Sequence, residues 1–124
     1  MTNSAVSLDG VSLVFGGKDT EHVLAVDSIN IEIPQGQFVA IVGPSGCGKT
    51  TILNMLSGLI RPTVGSVKRH GKEVTEPSRD IGYMLARSAL SPWRTARKNV
   101  ELGLQLHGVG KTERRKRAEE LLEQ

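Results

Sequence analysis

The sequence predicts an α/β fold in which an antiparallel β region leads into a buried strand, a glycine-rich bend and a helix. Three observations predict it. "INIEI" at 29–33 alternates apolar and polar residues, the pattern of a strand with one wet face. "QFVAIVG" at 37–43 is apolar without alternation, as a strand covered on both faces is. Ile52, Met55, Leu56 and Leu59 then recur at i, i+3, i+4 and i+7, which is one face of a helix.

Taken in order, "AVSLDGVSLVF" alternates loosely and "GGKDTEH" reads as a turn. "VLAV" and "INIEI" follow as strand runs, closed by Pro34 and Gly36. After the helix, Gly58 and "RPTVG" end the periodic pattern, and "GSVKRHG" is a short strand running into a glycine turn. "RDIGYML" is a further apolar run, and "ARSALSPWRTARKN" is a loop in which Pro92 holds Ser91 extended. Thr95 or Asn99 starts a helix carrying Val100 and Leu104, which Gly108 and Gly110 break. Thr112 is the expected N-cap of a last helix with Ala118, Leu121 and Leu122 on its inner face. Glu119, Glu120 and Glu123 crowd its final turn with no Gly or Pro stop, so the helix is expected to continue past Gln124. The chain thus divides into a β segment at 1–36, a strand, bend and helix region at 37–85, and a loop and helical region at 86–124.

At 124 residues, with 38% hydrophobic and 23% charged residues, the chain has the size and composition of one globular domain or part of one. No stretch approaches the ~18 uninterrupted apolar residues of a membrane span, and the first ten residues carry no basic cluster, so a cytoplasmic location is expected. The single cysteine, Cys47, has no companion for a disulfide or a metal site. Charge is uneven: residues 61–124 hold most of the 16 basic side chains. They are interspersed with acids and lack interleaved aromatics, which points to a solvated surface and no nucleic-acid partner.

Gly43, Gly48, Lys49 and Thr50 satisfy G-x-x-x-x-G-K-[ST], placed after a predicted strand and before a predicted helix, as a phosphate-binding loop must be. The glycines let the backbone curl with its N–H groups inward, and the helix start adds partial positive charge, so a polyphosphate meets only donors. Lys49 supplies an ammonium for the β and γ phosphates. Thr50 supplies a hydroxyl for Mg²⁺, a hard ion that shares phosphate oxygens. Pro44, Ser45, Gly46, Cys47 and Thr51 complete the loop, with Ser45 and Gly46 small enough not to crowd the oxygens. Cys47 reads most simply as a small residue, and a thiol of lowered pKa beside Lys49 is the alternative.

"VGPSGCGKTTILNMLSGLIRPTVGSV" closely resembles the ATP-binding subunits of ABC transporters. The resemblance implies a phosphate-loop NTPase fold, the N-terminal half of an ABC ATPase domain with an antiparallel β subdomain, binding ATP with Mg²⁺. "GVSLVFGG" is similar to that family's adenine-contacting segment, which implies that Phe15 stacks on the base; ordinary core filling is the other reading of Phe15. "IGYMLARSALSPWRTARKNV" resembles a stretch of nitrate, sulfonate and taurine importers in which a glutamine precedes a leucine-proline-tryptophan turn. Ala86 stands at the glutamine place and can neither reach Mg²⁺ through an amide oxygen nor orient a water. Trp93 lies where the resemblance implies contact with a transmembrane permease subunit, and a ring folded back on its own domain is the alternative.

The resemblance further implies a second nucleotide-binding subunit facing the first, and a peripheral place at the inner face of the cell membrane. The family's Asp-Glu strand and Ser-Gly-Gly-Gln type signature do not occur in these residues, so no catalytic residue is named. Phosphoryl transfer needs a metal-holding carboxylate and a group that positions the nucleophile. The expectation is part of an importer's ATPase that binds nucleotide without hydrolysing it alone. A non-catalytic regulatory paralogue is the alternative. A nucleoside kinase, whose core strand and loop would stand very near the N-terminus, and a GTP-binding switch, which needs an Asn-Lys-x-Asp base reader absent here, fit less well; the β segment before residue 38 and Phe15 argue against both.

Overall fold

A computed structural model describes residues 4–17, 21–87 and 89–124. They form two compact units, one through Ile81 and one from Gly82 to Gln124. Residues 18–20 of the turn expected over "GGKDTEH" lie outside the described residues.

The first unit is an antiparallel sheet with one helix. Strands β1 (Ser4–Phe15), β2 (Val23–Pro34), β3 (Val64–Arg69) and β4 (Lys72–Glu73) stand in the order β2-β1-β3-β4. "VLAV" and "INIEI" are one strand, β2, whose Ile29, Ile31 and Ile33 are half-buried while Asn30 and Glu32 are exposed. Helix α1 (Lys49–Ser57) contributes Ile52 and Met55 to a core completed by Leu8, Val11 and Leu13 of β1, Val26, Val67 and Val74.

Leu8 and Val11 are both buried, although a spacing of three would put them on opposite faces of a regular strand. A bulge resolves this. Between the pairs Leu8–Ile31 and Val11–Ile29, two residues of β1, Asp9 and Gly10, oppose one of β2, Asn30, so the inward phase resets between them. Gly10 takes φ +54° there, a conformation that costs glycine little, and its N–H is satisfied by the Asn30 Oδ1 at 2.8 Å. A matching extra residue on β2 puts Ser28 at φ 47°, and its N–H donates to Ser12 Oγ at 2.8 Å.

Two sequence expectations in this unit change. Residues 37–43 form no strand, and Phe38 and Val42 are 93% and 88% exposed. An all-apolar strand is buried only between flanking strands and covering helices, and no strand among the described residues pairs with this segment. Leu59, expected on the buried helix face, lies beyond α1 and is exposed, because Gly58 caps the helix with its N–H bonded to Met55 O at 3.1 Å.

The second unit is a helix pair, α2 (Ala96–Leu106) and α3 (Lys111–Leu122). Thr95 caps α2, its hydroxyl accepting from Lys98 N at 3.3 Å. Asn99 Oδ1 accepts from Ser91 N at 2.9 Å, tying the preceding loop to the helix. Helix α3 starts after Gly110, so Thr112 lies inside its first turn rather than capping it. Ala118 is fully buried, whereas Leu121 and Leu122 are exposed rather than on an inner face. The helices are joined by charge. Glu101 meets Arg97 at 3.2 Å and Arg114 at 3.3 Å, and Glu119 meets Arg97 and Arg115, each at 3.0 Å. Hydrogen bonds from Arg115 and then Arg97 hold the Glu119 carboxyl below its usual range.

Met55 is 1% exposed, so Met55→Ala is expected to cost about 2–5 kcal/mol through the cavity it leaves. Phe38→Ala, at a fully solvated ring, is expected to change stability by less than about 0.5 kcal/mol. Urea midpoints of the two variants check this contrast.

Candidate functional site

The glycine-rich bend closes on itself before α1 begins. Cys47 N donates to Pro44 O at 3.4 Å, and Gly48 sits at the helix start with φ 96° and ψ 2°. A Cβ on Gly48 would lie 2.8 Å from Ala25 O and 3.2 Å from the Val26 side chain, so only glycine lets the bend rest against β2. A Cβ on Gly43 would meet Cys47 Sγ at 2.8 Å.

No side chain caps α1 and no acidic residue occupies its first turn. The N–H groups of Lys49, Thr50 and Thr51 have no protein acceptor among the described residues; the first helical bond at this end runs from Ile52 N to Gly48 O at 2.9 Å. The start of α1 therefore presents free donors and the positive end of its dipole. Lys49 curls back over the bend, its Nζ donating to Gly43 O at 2.8 Å and Pro44 O at 2.6 Å, with Cys47 Sγ at 3.5 Å. The ammonium is thus held at the mouth of the loop by weak carbonyl acceptors that an anion would outcompete.

A cleft of about 460 Å³ opens beside this helix start, lined by Ser45, Gly46, Gly48, Lys49, Thr50 and Thr51 on one side and by Phe15, Val23, Leu24 and Ala25 on the other. Its volume is that of a small-molecule site. Phe15, at the end of β1, is 44% exposed and so is not core filling. It pairs directly across the hairpin with Val23, making an apolar wall opposite the polar loop. A polar, positively polarised end and an apolar end with an aromatic face suit a phosphate ester carrying a flat base. The chemistry of the donor set also fits a phosphate-bound Mg²⁺ at the Thr50 hydroxyl.

The sequence-predicted residues Phe15, Ser45, Gly46, Gly48, Lys49, Thr50 and Thr51 are brought together in this cleft, while Gly43, Pro44 and Cys47 form the outer turn that anchors Lys49. Val23, Leu24 and Ala25 were not anticipated. The only signal for them is hairpin register, which places Val23 opposite Phe15. Ala86 and Trp93 belong to the second unit, where Trp93 is 82% exposed rather than folded back. No helix among the described residues is long and apolar enough to cross a membrane.

The sequence profile of the family described as ABC transporter matches residues 26–124. The chain is 48% identical over 93 residues to an uncharacterized ABC transporter ATP-binding protein of Methanocaldococcus jannaschii, covering 75% of this chain and 35% of that protein. It is 42% identical over 115 residues to a taurine import ATP-binding protein of Mesorhizobium japonicum, covering 93% of this chain and 44% of that one. A nitrate import ATP-binding protein of Synechocystis is 40% identical over 99 residues, covering 80% of this chain and 15% of that protein. The chain therefore spans less than half the length of these relatives. Among solved structures, a dimeric ATP-binding cassette in a post-hydrolysis state bound to ADP and Pi superposes with a TM-score of 0.83 at 35% identity, covering 95% of this chain and 56% of that one. The fold is that of the N-terminal part of an α/β phosphate-loop ATPase cassette, with its antiparallel sheet and helices.

Gly48→Ala is expected to push the bend away from Ala25 and weaken phosphate-ligand affinity at least about tenfold, roughly 1.4 kcal/mol, by calorimetric titration, with the second unit's helix content unchanged.

Proposed function

Because the chain belongs to the ABC transporter family, we propose that it is the nucleotide-gripping part of an importer's ATP-binding subunit, holding MgATP in the cleft beside α1. The observation that carries this is the set of acceptor-free N–H groups at Lys49, Thr50 and Thr51 in a cleft whose far wall is Phe15.

The amides of 45–51 and the Lys49 ammonium take the triphosphate, with Lys49 exchanging the carbonyls of Gly43 and Pro44 for β and γ oxygens. Thr50 holds Mg²⁺, which when bound neutralises phosphate charge. Phe15 and Val23 receive the adenine, a stack that contributes about 1–3 kcal/mol and tolerates other bases. The solute is a small oxyanion of the taurine or nitrate kind, by similarity to the named relatives. The partners are a permease subunit, met through the loop around Trp93, and a second ATP-binding subunit, at the inner face of the membrane. The chain itself binds without turning over, since Ala86 offers neither a metal ligand nor a water-orienting amide. Ala86 also supports a second reading, a nucleotide-binding regulator that never hydrolyses.

Lys49→Ala is expected to weaken MgATP binding at least about tenfold, and Phe15→Ala to weaken ATP and GTP alike, in calorimetric titrations. Unchanged affinity in both variants would contradict the site. Contaminant-free ATPase turnover near the ~1 per second of ordinary enzymes would contradict the binding-only reading.

A further inference from the structure

The second unit holds a cleft of its own, about 420 Å³, between α2 and α3. We propose that it is a binding site for a compact polyvalent phosphate, separate from the nucleotide site and independent of that reading.

The charge count is the ground for it. Arg94, Arg97, Lys98, Lys111, Arg114 and Arg115 line the cleft. Two carboxylates answer only three of them: Glu101 holds Arg97 and Arg114, and Glu119 holds Arg97 and Arg115. Arg94, Lys98 and Lys111 have no acidic partner among the described residues. This differs from the outer surface of α3, where Arg117 pairs with Glu113 at 2.6 Å and Lys116 with Glu120 at 3.9 Å, the ordinary i,i+4 compensation of a solvated helix. Uncompensated like charges around one concavity repel one another and focus a positive potential that a multivalent anion relieves.

The wall is fixed before any ligand arrives. Arg114 is pinned by Glu101 and by a bond to Val109 O at 3.4 Å, which leaves its remaining guanidinium donors to the cleft. The volume matches a small molecule. Two or more phosphate charges on one compact body can meet Arg94, Lys98 and Lys111 together, which a single carboxylate cannot.

Trp93, the only tryptophan in the chain, stands on the cleft wall and reports directly on it. The test titrates the full chain carrying Lys49→Ala with inorganic pyrophosphate and follows tryptophan emission. A saturable change is expected, with affinity at least about tenfold weaker in R94Q/K98Q/K111Q, whose folding is checked by circular dichroism. Should the triple variant misfold, K98Q and K111Q singly are each expected to weaken binding severalfold. An unaltered affinity in the folded variants, loss of the signal through Lys49→Ala alone, or an equal response to sodium chloride at matched ionic strength overturns the proposal. So does a response to phosphatidic acid vesicles with none to pyrophosphate, which would make the cleft a membrane-facing surface. None of these outcomes bears on MgATP binding at the first site, which calorimetry reads separately.

Discussion

A helix that starts without a cap is the constraint around which the first unit is organised. Helix starts normally find a Ser, Thr, Asp or Asn side chain for their loose N–H groups; α1 finds Gly48, which has none to offer. Water can satisfy those donors in the free protein, but an anion satisfies them better and also meets the helix dipole. Lys49 adds a charge that the bend itself holds in waiting through two backbone carbonyls. Having glycine in place of a side-chain cap costs only about a few tenths of a kcal/mol, and it is borne at a position where a ligand would repay it.

The sheet serves this arrangement. Its bulges at Gly10 and Ser28 reset which residues face the core, so that Leu8, Val11 and Leu13 of one strand all pack toward α1. The same irregular pairing leaves Phe15 and Val23 facing one another at the strand ends, half-exposed beside the bend. Ala25 and Val26 of β2 lie so close to Gly48 that a Cβ there would run into them, which couples the position of the apolar wall to that of the loop.

What the sequence made readable was local. The phosphate-loop motif needs only residue types at fixed spacing, and the Thr95 cap and the glycine stops of α1 and α2 are likewise set within one turn. The bulges were unreadable because their extra residues look like ordinary strand positions until a partner strand counts against them. Residues 37–43 show the opposite failure: their composition describes a doubly covered strand, and composition says nothing about whether covering elements are present. Thr112 lost the capping position to Gly110, two residues earlier, where the backbone is still extended at φ −59° and ψ 152° and the helix begins with Lys111. Val23 and its neighbours became site residues only through register.

The most direct test of the account is an amide NMR titration of the chain with MgATP, read at Gly46, Gly48, Lys49, Thr50 and Thr51. The account predicts large saturable shifts at these amides, with protection from hydrogen exchange in the first turn of α1. Binding of MgATP that leaves those amides unshifted, while shifts gather elsewhere, would contradict it.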